Sequence, residues 1–138
     1  MGILQEAARG MAVMGIIVTA DMIAVIAATG IDFLSGIARA RREGIKRTSR
    51  GFRRTVTKLG NYLLLMLGML TVDGIIVLTS LLSRAGGGSG MVMIPLFTTV
   101  TSLSLTLIEA KSVSENAGSG NVFGDIMRIL KILSRFTK

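Results

Sequence analysis

The chain has 138 residues, half of them apolar, with a formal net charge of +8 and a mean hydropathy of +0.64. It contains no cysteine, histidine or tryptophan. That excludes a disulfide framework, a thiolate metal site and most hydrolase chemistry built on histidine, and it leaves too little polar surface to clothe a soluble domain.

The first apolar run, "MAVMGIIVTADMIAVIAATGI", opens a predicted span over residues 11–37. About 20 apolar residues in a helix cross the roughly 30 Å hydrocarbon core. Asp21 and Asp32 interrupt the run. It is too long for a signal-peptide core, and arginines rather than a cleavage site follow it.

Residues 39–58 then hold nine basic side chains, Arg39, Arg41, Arg42, Lys46, Arg47, Arg50, Arg53, Arg54 and Lys58, against Glu43 alone. A short loop rich in Lys and Arg stays on the cytoplasmic side, so this charge is read first as a topology signal. Contact with the anionic headgroups of the inner leaflet follows from it. With Phe52 as its one aromatic and no recognisable reading module, the stretch is not expected to bind nucleic acid.

A second span covers residues 59–83, where Asp73 is the one charged side chain. The following "SRAGGGSG" is a flexible glycine hinge with one arginine. A third span is expected over about 91–110, although its core carries six serines and threonines. Those hydroxyls can return to helix carbonyls, and Pro95 near the start costs little there. The tail, residues 121–138, places Ile126, Ile129, Leu130, Leu133 and Phe136 opposite Arg128, Lys131 and Arg135. That pattern suits an amphipathic helix on the inner leaflet, or one packed on the basic loop or on another subunit.

The expected fold is therefore an all-α integral membrane protein. It has three transmembrane helices and an interfacial tail helix, with the N-terminus outside and the C-terminus inside. Asp21 and Asp73 fall near mid-span, where a charged carboxylate costs about 2.5–3.5 kcal/mol. Each must be protonated, hydrogen-bonded to the other or to Ser/Thr, or wet. Asp21, Ala28, Asp32 and Ser35 share one helix face. Such a stripe acts either as glue between helices or as a path that fills with water on assembly. Asp32 and Glu109, near the cytoplasmic ends of their spans, are expected to pair with Arg39, Lys111 or the basic loop.

The stretch "DFLSGIARARREGIKRTSRGFRRTVTKLGNYLLLMLGMLTVDGI" resembles the central block of the phage-lysis and toxin-secretion holins. The elements that carry the likeness are Asp32, Gly36, Ser49, Gly51, Phe52 and Asp73. Further on, Glu109, Ser112, Glu115 and Asn116 are similar to that family's Glu, Ser and Glu-Asn pattern. Ala110 and Lys111 stand where the family usually has apolar residues, and no proline follows Pro95. The resemblance implies a non-enzymatic inner-membrane protein that forms homo-oligomers. These open lesions that release a peptidoglycan hydrolase or another cargo. No catalytic residue, metal or cofactor is implied. Rival readings are a membrane-depolarising toxin or defence effector, a small proton-coupled transporter, and a structural membrane subunit.

Overall fold

A computed structural model describes residues 2–45, 49–88, 94–118 and 131, without the side chains of 2–4 and 6. The described residues are all-helical, with no strand among them. Helix α1 spans Gly2–Arg42, α2 spans Ser49–Ala85 and α3 spans Leu96–Ala117.

At about 1.5 Å per residue, α1 and α2 rise roughly 60 and 55 Å, and α3 about 33 Å. The most apolar stretches of α1 and α2 have mean hydropathies of 2.3 and 2.1, and only 11% and 22% of those stretches are buried. A core helix of a soluble protein would be mostly covered. These two are long and apolar enough to cross a membrane.

The helices run well past the expected spans. Arg39, Arg41 and Arg42 form the last turn of α1, while Arg50, Arg53, Arg54 and Lys58 lie in the first turns of α2. The stretch expected as a basic loop is thus largely helical, because nothing in it but glycine opposes helix formation. Lys46, Arg47 and the predicted tail helix, apart from Lys131, lie outside the described residues.

The ends of α1 and α2 are set by glycine. Gly44 has φ +67°, and the Ile45 amide donates to the Ala40 carbonyl at 2.9 Å. Gly87 has φ +86°, and the Gly88 amide donates to Ser83 at 2.9 Å. Both are Schellman closures, in which a left-handed residue lets the chain turn back onto orphan carbonyls. Helix α3 begins at Leu96, later than the expected start of the third span. Pro95 stands just before the helix rather than within it.

The described residues form two compact units, Met1–Val25 with Asn61–Leu105, and Ile26–Gly60 with Thr106–Lys138. In the first, Val25, Met66 and Leu105 are buried together, with Met22 and Tyr62 packed on them. In the second, Ile37 and Ala38 are buried with Phe33 and Leu34 against them. The buried positions recur at heptad-like spacing, Met66, Asp73, Val77 and Ser80 on α2 and Thr98, Ser102, Leu105 and Glu109 on α3. Such spacing puts the buried side chains on one narrow stripe of each helix.

Polarity is distributed the wrong way round for water. Asp73, Ser80, Thr98 and Ser102 in the first unit, and Thr29, Ser35 and Glu109 in the second, are buried. Ile16, Ile23, Leu64, Ile75, Leu103 and Leu107 are among many large apolar side chains left exposed. Hydroxyls on exposed faces are satisfied locally. Thr19, Thr71, Thr79 and Ser104 donate to the carbonyl four residues back, at 2.8–2.9 Å. Lipid offers no hydrogen-bond partner, so a side chain facing it must find one on its own helix.

Candidate functional site

The four acids singled out in the sequence are all engaged. In the first unit, Asp73 caps α3. Its Oδ1 accepts the Phe97 amide at 3.0 Å, and its Oδ2 accepts both the amide and the hydroxyl of Thr98 at 2.7 Å. The first turn of a helix carries orphan N–H groups and a partial positive charge, which a carboxylate complements. Ile94 and Pro95, the residues before α3, have no side chain able to cap it, so the cap comes from α2. Asp21 Oδ2 accepts the Thr99 hydroxyl at 2.7 Å, and the Asp21 carbonyl accepts Ser102 Oγ at 3.1 Å. Of the states open to these two acids, the geometry realises hydrogen bonding to threonine.

The second unit gathers the charged cluster. Lys58 Nζ lies 2.7 Å from Glu109 Oε2 and 3.2 Å from Asp32 Oδ2. Asn116 Nδ2 donates to Ser35 Oγ at 3.0 Å and to Asp32 Oδ1 at 3.3 Å, and Ser35 donates to the Asp32 carbonyl at 2.8 Å. Helical register explains the convergence: Asp32 and Ser35 lie one turn apart on α1, and Glu109 and Asn116 two turns apart on α3. Glu109 is fully buried, and neither its Oε1 nor Thr106 Oγ1 has a hydrogen-bond partner.

Lys58 was grouped in the sequence with the residues that face headgroups, in the basic loop expected to pair with Asp32 and Glu109. It reaches both acids, because α2 begins early enough to bring it alongside them. Arg39 pairs with Glu43 at 2.8 Å, and Lys111 lies 3.9 Å from Glu115. Both pairs are exposed and contribute little. Arg42 caps the C-terminus of α3, donating to the Asn116 carbonyl at 2.6 Å and to Ala117 at 3.4 Å.

Half of the ten motif-bearing residues converge on one cavity. A partly open cavity of about 350 Å³ in the second unit is lined by Asp32, Gly36, Gly51, Phe52 and Asn116, together with Phe33 and other residues. Phe33 and Phe52 meet edge to face, with centroids 5.9 Å apart and planes at 66°. A Cβ on Gly36 would lie 3.8 Å from Asn116 Nδ2, in ordinary van der Waals contact. Ser49, Ser112 and Glu115 are not among the lining residues. No group of three or more metal-ligating side chains occurs among the described residues.

A family model for bacteriophage holins matches residues 11–136. The chain belongs to the bacteriophage holin family. Holins are a membrane-permeabilising, non-enzymatic class. No curated relative and no solved structure matches this holin. Its two long apolar helices and family membership together make it a membrane protein.

The sequence pointed Asp32 and Glu109 to the basic loop and allowed Asp21 and Asp73 a Ser/Thr partner, but it did not single out which residue each acid meets. Thr98 and Thr99 looked like span hydroxyls, and Lys58 like one basic residue among nine. One signal was present for α3, a helix start without a capping residue facing a span with a lone aspartate. None was present for Lys58.

Proposed function

We propose that this holin oligomerises in the bacterial inner membrane and opens lesions that release a cell-wall hydrolase or another protein cargo. The observation that carries the reading is the inverted distribution of polarity: a polar, hydrogen-bonded seam inside and an apolar surface outside, on a chain of the holin family. Burying apolar side chains gains little when the surrounding solvent is hydrocarbon. Close packing and internal hydrogen bonds must hold the helices instead.

Helix α3, about 33 Å long, completes a three-span topology. Its N-terminal hydroxyls are occupied by Asp21 and Asp73, which lowers the cost of placing them in lipid. The basic residues at 39–58 and in the tail put those segments inside and the glycine hinge outside. Assembly is supported by an exposed stretch of α1 bearing Ala12, Gly15 and Thr19, since small residues let helices of separate copies approach closely.

The test is induced expression while following membrane potential and release of a cytoplasmic enzyme. Loss of potential together with enzyme release is expected. Loss of potential with the enzyme retained would instead mark a depolarising effector.

A further inference from the structure

We propose that the cavity of the second unit binds the headgroup of an aminophospholipid, with its primary ammonium at Asp32. The reading rests on the proposed placement of the basic segment at the inner leaflet.

Three observations converge. First, the cavity combines one carboxylate, Asp32, and one amide, Asn116, with the aromatic faces of Phe33 and Phe52. A primary ammonium can donate hydrogen bonds to the carboxylate and also lie against an aromatic ring. Second, the cluster behind Asp32 has a formal surplus of negative charge. Two carboxylates share the Lys58 ammonium, and Glu109 Oε1 is left without a partner. A cationic group beside Asp32 offsets that surplus. Third, Ile45 and Phe52, which line the cavity, are more than half exposed and carry its lining outward as apolar surface. Acid within and apolar surface outward follow the order of ammonium and acyl chain.

About 350 Å³ lies at the low end of small-molecule sites, roughly 300–1,000 Å³, which suits a headgroup.

The experiment uses the full-length chain, delipidated in mild detergent and titrated with phosphatidylethanolamine, phosphatidylglycerol and phosphatidylcholine, with bound lipid counted by native mass spectrometry. Phosphatidylglycerol has the phosphate without the ammonium. Phosphatidylcholine has a cation that cannot donate a hydrogen bond. Phosphatidylethanolamine should be retained about tenfold over phosphatidylcholine, the size one charge-assisted hydrogen bond supports. Asp32→Asn should abolish the preference. So should Gly51→Leu, which leaves the ion pairs intact and whose Cβ meets nothing within 4 Å. If Asp32→Asn loses helicity, Gly51→Leu decides alone. Equal retention of the three lipids, or a preference surviving in folded variants, overturns the proposal. A preference emerging only after deletion of residues 119–138 also overturns it, in favour of the chain's own tail as occupant. Each of these results is independent of lysis, so failure here leaves the proposed function standing.

Discussion

Asp73 on α2 is the N-cap of α3, with its Oδ2 2.7 Å from both the amide nitrogen and the hydroxyl of Thr98, 25 residues away. A single carboxylate therefore satisfies a helix start that its own neighbours cannot cap, and the helix start makes that carboxylate tolerable in an apolar span. Each is the other's solvation.

Replacing Asp73 separates capping from a wet path. Asp73→Leu leaves buried N–H groups unpaired, at about 1–3 kcal/mol each, and should destabilise the chain and impair assembly. Asp73→Asn keeps an acceptor and gives up the charge at the helix terminus, about 0.5–1 kcal/mol. Denaturant unfolding in micelles and enzyme release at matched membrane levels are the measurements. Near-normal release by Asp73→Asn is expected. A changed release at wild-type stability would place Asp73 in the wall of an aqueous path.

Lys58 holds two acids, so its loss should be felt through both. Lys58→Met is expected to destabilise by roughly 1–3 kcal/mol, less than a fully buried pair because the side chain is 31% exposed. Adding Glu109→Gln should restore much of that loss. A double-mutant cycle with no coupling between the two positions would show that the pair contributes nothing.

Topology can be read with single cysteines, since the chain has none of its own. With an impermeant thiol reagent on intact cells, Ser89→Cys should label and Ser49→Cys should not. Labelling at position 49 alone inverts the orientation.

The tail is predicted to bind anionic surface through Arg128, Lys131 and Arg135. Changing all three to Gln in a peptide of residues 120–138 should weaken vesicle binding by about 1 kcal/mol per residue at low salt. Indifference of the unmodified peptide to anionic vesicles would assign the tail to protein packing.

The sequence by itself determined the class of this protein. Two long apolar runs flanking a dense basic stretch require helices and a bilayer, and the order of Asp32, Gly36, Ser49, Gly51, Phe52 and Asp73 pointed to holins. Length and composition suffice for that, because a backbone in lipid must satisfy itself within each helix. The pairing of the acids was decided only by tertiary structure. In water a buried seam is legible as apolar periodicity, but here the exposed faces are apolar as well, so the pattern vanishes. The seam carries Asp73, Thr98, Ser102 and Glu109 beside Met66 and Leu105, and no periodicity distinguishes them from span residues facing lipid. Which cation meets Asp32 and Glu109 depended on where α2 starts and how its turns fall in register. Sequence offered nine basic residues between 39 and 58, and geometry chose Lys58.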